Sequence, residues 1–148
     1  MKAALSALTV VGLFFPVASN AALFKATGTI AHSCSIDDSQ NIALTPTDQT
    51  KLQGSTTLNM SQNGSTLWTL DHSNDTAPSG EVVDSEFYIQ NFGGNADLYV
   101  GSGDTETATI SGEYDGTPTM YVKIRDINNE PLKAGSYMTT ATLTCVSN

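Results

Sequence analysis

Apolar and polar residues alternate over short stretches along most of this chain. Beyond residue 21 there is no breaker-free window with apolar residues at helical spacing. Alternating runs recur instead between clusters of Gly, Pro, Asn, Asp and Ser, which is typical of β-strands joined by tight turns. The sequence predicts strands over residues 24–30, which continue or restart at 34–36, and then over 41–44, 56–60, 66–70, 82–90, 96–100, 107–112, 120–125 and 137–146.

The phase of the alternation gives most of these strands one apolar face. Trp68 and Leu70 share a face, as do Phe87 and Ile89, with Tyr88 on the opposite side. A half-apolar strand must bury that face against a second layer, so the pattern predicts an all-β, antiparallel sandwich. Turns are expected at 61–64, 91–95 and 128–131, and exposed loops at 71–80 and 101–106.

The N-terminus has the three parts of a secretory signal peptide. Lys2 supplies a positive start, residues 3–17 are apolar up to Pro16, and Ala18-Ser19-Asn20-Ala21 supplies small residues at a cleavage site. The apolar run is shorter than the ~20 residues that span a bilayer, and no later segment is long and apolar enough. The sequence predicts an exported chain, with residues 1–21 as a signal peptide and 22–148 as one mature domain.

Charge excludes two classes of partner for the mature chain. Its 15 acidic residues outnumber the five bases that remain after Lys2 is removed, and those bases form no patch in the sequence. Phosphate backbones and anionic lipid heads would be repelled. We therefore expect neither nucleic-acid binding nor membrane insertion.

Two cysteines, Cys34 and Cys145, remain in the mature domain. An even count in an exported chain predicts a disulfide, and two cysteines allow only one intramolecular pairing. The bond would tie the first strand to the last and would close a loop of about 110 residues. By lowering the chain entropy of the unfolded state, it would stabilise the fold by up to about 4–5 kcal/mol.

Catalytic and metal-binding patterns are weak. Asp71-His72-Ser73 contains the residue types of a hydrolase triad, but consecutive residues cannot meet in that geometry. His32 and His72 are the only histidines, and there is no Cys-x-x-Cys pair. We expect no enzymatic activity, no metal and no cofactor.

The C-terminal 25 residues carry the most specific pattern. Gly135 stands fourteen residues from the end and begins a Gly-x-aromatic step to Tyr137, after which Ala141, Leu143 and Cys145 alternate with polar residues. Near the other end, a β run with Gly28 precedes Cys34. Both segments resemble the bacterial chaperone–usher pilins, the subunits of fimbriae.

The resemblance implies a fold and a mode of assembly. Such subunits are immunoglobulin-like sandwiches that lack their last strand, and the N-terminal arm of a neighbour fills the resulting groove by β-strand addition. A periplasmic chaperone fills it first, and an outer-membrane usher assembles the fibre. Phe24, Ala26, Gly28 and Ile30 fit such a donor arm, and Gly135, Tyr137, Ala141 and Leu143 fit the last-strand groove motif. The same arm residues fit the first strand of a self-complete sandwich equally well.

Two functional hypotheses remain open from the sequence. The leading one is a structural or adhesive subunit of a surface fibre, reached through the periplasm, with neighbouring subunits, chaperone and usher as partners and a host receptor or glycan as a further candidate. The alternative is a self-contained secreted sandwich that binds a glycan or host protein through loops such as 71–80 and 91–95.

Overall fold

The protein folds into antiparallel β-sheets. The computed structural model describes residues 27–36, 40–93 and 96–147. Those residues form no helix and eleven strands: β1 Cys34–Ile36, β2 Thr45–Asp48, β3 Lys51–Thr57, β4 Met60–Asn63, β5 Thr66–Thr76, β6 Val83–Phe92, β7 Ala96–Gly101, β8 Thr105–Ile110, β9 Glu113–Gly116, β10 Thr119–Asp126 and β11 Met138–Ser147.

The strands form one five-stranded and two three-stranded sheets. The large sheet has the order β2-β3-β10-β6-β7, and the smaller sheets have the orders β11-β5-β8 and β1-β4-β9. Every pair is antiparallel. The all-β sandwich predicted from alternation is confirmed.

The core lies between the inner faces of the large sheet and the β11-β5-β8 sheet. Trp68 of β5 is fully buried and meets Phe92 of β6 edge to face, with ring centroids 5.5 Å apart. Leu70, Ile89 and Val122 are buried on the same inner faces, as the strand phases predicted. The sheets are therefore held together mainly by apolar side chains from alternate strand positions.

The chain has two compact units, Met1–Ile30 and Ala31–Asn148. The first unit is described only at residues 27–30, which form no strand, and Ile30 is 85% exposed there. The predicted signal peptide at 1–21, and the arm residues Phe24 and Ala26, lie outside the described residues.

Several strand boundaries differ from the sequence prediction. Residues 41–44 form no strand, and β2 begins at Thr45 and contains Pro46. Pro46 is tolerated because β2 is an edge strand, where a missing N–H can face away from the ladder. Residues 61–63, expected as part of a turn, belong to β4, which pairs with β1 through residues 60–62 and with β9 through residues 60–63.

Two of the expected loops are partly strand. Residues 71–76 extend β5, and β11 pairs with this extension. Its side chains are polar, and that of His72 faces inward. Residues 105–106 begin β8. β9, at Glu113–Gly116, was not predicted, because its sequence contains one apolar side chain, Tyr114.

The structure contains the disulfide expected from the cysteine count. Cys34 of β1 and Cys145 of β11 are bonded, with Cα atoms 6.3 Å apart. The bond joins two different sheets, β1-β4-β9 and β11-β5-β8. Among the described residues, no helix is long and apolar enough to cross a membrane.

Candidate functional site: a groove along the last strand

The last strand, β11, has one unpaired edge. It pairs with β5 on one side, and no strand of the described residues pairs with its other side. Its inward-facing positions Ala141 and Leu143 are only half-buried, whereas the inward-facing Val122 and Ile124 of β10 are 3% and 0% exposed. The apolar face of β11 is therefore incompletely covered.

A groove of about 1000 Å³ runs beside this edge. Its floor consists of buried core side chains, and its walls come from β11 on one side and from residues 40–52 on the other. The floor residues are Leu58, Phe87, Met120 and Val122. The groove thus opens directly onto the hydrophobic core.

The wall opposite β11 also ends in an unpaired edge. Among the described residues β2 pairs with β3 alone, and its Pro46 and Asp48 line the groove. The preceding segment crosses close to β3: a Cβ at Gly54 would lie 2.5 Å from the carbonyl oxygen of Ala43. The glycine lets this segment approach, which brings Ile42 and Leu44 to the groove wall.

One end of the groove is shaped by the turn before β11. Gly135 has a φ of 154°, and a Cβ there would collide with the ring of Pro78, so both backbone and space favour glycine. The Tyr137 hydroxyl donates a hydrogen bond of 2.7 Å to the carbonyl of Lys133. Burial of the ring, with Glu81 nearby, raises the pKa of Tyr137.

The turn is tied to the loop before β6 by charge. Lys133 Nζ lies 3.3 Å from Glu81 Oε2 and donates a 2.6 Å hydrogen bond to the carbonyl of Gly80. The Glu81 side chain is only 3% exposed. The ion pair therefore fixes the end of the groove from which β11 begins.

Electrostatically the groove is nearly neutral. Of the described residues that line it, only Asp48 and Lys133 carry charge. Hydrogen bonds from Thr50 hold the pKa of Asp48 below its ordinary value, and Lys51 lies 3.3 Å away. The arrangement suits an uncharged, apolar segment, because a charge over the floor would lose its water without gaining a partner.

The structure brings part of the sequence-derived site together. Gly135, Tyr137, Ala141 and Leu143, derived from the C-terminal motif, all line the groove. Of the arm residues, Gly28 and Ile30 are described, and neither is in a strand.

Sequence reasoning missed the opposite wall and the floor. Ile42, Leu44 and Leu52 form that wall, and the alternation of Ile42 with Leu44 was a usable signal. The alternation predicts a strand, because nothing in the sequence shows that residues 40–44 cross β3 rather than pair with it.

In the part of the chain that the structure describes, side chains with catalytic chemistry do not converge on the groove. Asp71 and Ser73 are exposed while His72 between them is buried, since neighbours in a strand point to opposite faces. The residues described contain no group of three or more His, Cys, Asp or Glu side chains placed to hold a metal ion.

Comparison with known proteins adds little. No family model matches the chain, and no curated protein matches its sequence. A solved structure of a chaperone-tip adhesin complex, vital for synergistic activation of CFA/I fimbriae biogenesis, aligns at 15% identity and a TM-score of 0.41. The alignment covers 78% of this chain and 41% of that one. A likeness this weak carries no weight, so the groove is interpreted from its own geometry.

Proposed function

We propose that this protein is an exported subunit of a surface fibre, a pilus or fimbria, whose groove accepts a β-strand from a neighbouring subunit. The observation that carries the proposal is the open groove between the unpaired edges of β11 and β2, floored by the core. Unpaired N–H and C=O groups beside exposed apolar side chains strongly favour the addition of another strand.

The dimensions of the groove support an extended occupant. β11 has ten residues, which at about 3.3 Å per residue gives a strand of roughly 33 Å. The segment 22–30 has nine residues and would span roughly 30 Å when extended. A strand of this length can pair along most of β11 while alternate side chains enter the groove.

The sequence of that segment suits the groove. Phe24, Ala26, Gly28 and Ile30 occupy alternate positions, so one face of an extended arm is apolar or small. The other face carries Lys25, Thr27 and Thr29, which can remain in water. We therefore assign 22–30 of one subunit as the donor to the next, with a chaperone and an usher as the partners that deliver it.

The disulfide fits an exported protein. Such bonds form and persist in oxidising compartments, and this one joins β1 to β11, the strand that borders the groove. It supports the route through the periplasm that the N-terminal pattern predicts, with residues 1–21 removed.

The test is fibre assembly by paired arm variants. The double variant Phe24→Asp, Ile30→Asp puts charges on the groove-facing side of the arm, and Thr27→Asp, Thr29→Asp puts the same charges on its other side. We expect the first pair to abolish polymers, scored by electron microscopy and by denaturant-resistant high-mass species, and the second pair to retain them.

The competing interpretation gives a different result. If 22–30 is the first strand of a self-complete sandwich, the first pair lowers the thermal midpoint of an already monomeric protein. Monomeric wild-type protein from cells that supply chaperone and usher, together with such a loss of stability, would contradict the proposal and favour a self-contained binder.

A further inference from the structure

Three tyrosines form a row across the outer face of the large sheet. Tyr121 of β10 is directly opposite Tyr88 of β6, and Tyr88 is directly opposite Tyr99 of β7. The row therefore crosses three neighbouring strands and covers roughly 10 Å, two strand spacings. It contains three of the five tyrosines in the chain and lies on the sheet face opposite the core.

The rings are accessible and held in place. Tyr99 is 49% and Tyr121 42% exposed. The rings of Tyr88 and Tyr121 stack with centroids 6.2 Å apart and planes inclined by 27°. The Tyr88 hydroxyl donates a 2.7 Å hydrogen bond to Asp97, which raises the pKa of Tyr88.

A depression adjoins the row on the Tyr121 side. Ser55 of β3 is directly opposite Tyr121, and because serine is small the side of the ring that does not stack on Tyr88 stays open. The depression has a volume of about 600 Å³, within the range of small-ligand sites. Its border carries the side chains of Gln53, Gln90 and Thr45, which offer amide and hydroxyl groups for hydrogen bonding.

Both bases on this face are paired with acids, and the remaining carboxylate, Asp97, accepts the hydrogen bond from Tyr88. Lys123 Nζ lies 2.9 Å from Glu86, and Arg125 bonds to Asp84 at 2.7 Å and lies 3.2 Å from Glu86. Two bases thus neutralise two acids within a chain that is strongly acidic overall. The face matches an uncharged ligand, whereas the net charge of the chain disfavours an anionic one.

We propose that this depression, with Tyr121 as its stacking surface, is a binding site for a neutral saccharide. A sugar ring has an apolar C–H face and a rim of hydroxyl groups. The open ring of Tyr121 stacks on the C–H face, and Gln53, Gln90 and Glu86 form hydrogen bonds with the hydroxyl groups. Tyr88 and Tyr99 extend the platform so that a second sugar unit can follow the row.

The site is separate from the groove. It lies on the outer face of the large sheet, so filling of the groove by a strand leaves it free. The proposal does not depend on the protein being a fibre subunit. The competing explanation is that the row only stabilises the sheet through cross-strand aromatic pairs, each worth roughly 0.2–1 kcal/mol.

The experiment measures binding of defined sugars to the exported protein, in the monomeric or assembled form in which it is purified. The probes are lactose, maltotetraose, cellotetraose and chitotriose, with sialyllactose and a heparin tetrasaccharide as anionic comparisons, measured by titration calorimetry. We expect at least one neutral probe to bind and both anionic probes to bind more weakly.

Three variants separate recognition from stability. Tyr121→Ala should weaken binding about tenfold or more, since it removes the stacking surface. Tyr121→Phe keeps the ring and should stay within about twofold, and Ile127→Ala, an exposed apolar position away from the row, should change nothing. Thermal midpoints of all three are measured alongside.

Two results would overturn the proposal. One is the absence of binding by every neutral probe to folded wild-type protein. The other is equal binding by wild type and Tyr121→Ala with only the thermal midpoint lowered, which would assign the row to sheet stability alone.

Discussion

At the residue scale, Gln62 is the polar group on which the core most depends. It is 4% exposed, and its amide nitrogen donates to the carbonyls of Gly64, Ile110 and Gly112 at 2.9–3.0 Å. Its oxygen accepts a 2.7 Å hydrogen bond from the Trp68 indole N–H. One side chain thus satisfies the largest core residue and links β4 to the end of β8.

Replacement of Gln62 by alanine should destabilise the fold by about 2–3 kcal/mol. The change leaves the Trp68 N–H buried without an acceptor, and an unsatisfied buried group costs roughly 1–3 kcal/mol, to which the lost packing adds. Gln90→Ala, at an exposed position of β6, is the matched control and should stay within about 0.5 kcal/mol. Urea denaturation followed by Trp68 fluorescence measures both variants. A midpoint for Gln62→Ala equal to that of wild type would contradict the role assigned to Gln62.

Asp75 links the β5 extension to its neighbours through several hydrogen bonds. Its carboxylate accepts from the Ser102 hydroxyl at 2.6 Å and lies 3.0 Å from His72 Nε2. The Gly103 N–H donates to His72 Nδ1, so Nε2 is the nitrogen that carries the proton. Burial raises the pKa of Asp75, but hydrogen bonding, led by the Ser102 hydroxyl and including His72, lowers it below its ordinary 3.8.

This shift predicts a pH dependence of stability. A carboxyl whose pKa is lower in the folded state stabilises the fold above about pH 3.8, and the contribution is lost as pH falls through the lower folded value. Asp75→Asn should therefore be less stable than wild type at pH 6 and approach it near pH 2–3. The exposed Asp115→Asn is the control. Urea midpoints are measured at both pH values. A difference between wild type and Asp75→Asn that is the same at both would contradict the prediction.

At the element scale, β11 has two roles, one for its inward face and one for its backbone edge. The inward-facing Leu143 lines the groove, whereas the outward-facing Thr144 does not. Its backbone pairs with β5 along one edge, and no described strand pairs with the other. The strand thus contributes side chains to the core and leaves one backbone edge available to an added strand.

Leu143→Glu should weaken binding of a synthetic peptide with the sequence of residues 22–30 by about tenfold or more, because it puts a charge where an apolar side chain must enter. Thr144→Glu places the same charge on the same strand facing outward and should change binding by less than about twofold. Fluorescence anisotropy of the labelled peptide reports both. Equal loss in the two variants would show that charge alone, not the groove, governs binding.

Strands with clean alternation were predictable from the sequence, and strands without an apolar face were not. β6, β10 and β11 were predicted within about two residues, because their buried faces impose a period of two. β2 and β9 have almost no apolar face, so pattern carried no signal for them. The polar extension of β5 was read as a loop because its pairing with β11 is long-range.

The candidate site likewise has a part that was predictable from the sequence and a part that was not. The β11 wall was predicted from a family resemblance and lines the groove, whereas Ile42, Leu44 and the floor residue Phe87 depend on how distant segments meet. The tyrosine row was invisible in sequence for the same reason. Tyr88, Tyr99 and Tyr121 are separated by more than ten residues each and align only through strand register.

At the scale of the whole molecule, a fibre subunit of the proposed kind is a domain that is incomplete by one strand. The sheets pack around Trp68 and Phe92, and a disulfide ties β1 to β11, yet the core stays open along one side. Such a domain should be stable only when the opening is filled. Under the proposed function, a chaperone and then a neighbouring subunit would cover this apolar surface in turn.

The most direct test compares the mature chain with a version that carries a second copy of residues 22–30 after Asn148, joined by a flexible linker. We predict that the extended chain is a soluble monomer with a higher thermal midpoint and slowed amide exchange along β11, because the copy fills the groove within one molecule. The unextended chain should aggregate or polymerise on refolding. If the unextended chain refolds to a stable monomer whose β11 amides exchange as slowly as those of β10, and the added copy changes neither property, the central claim is wrong.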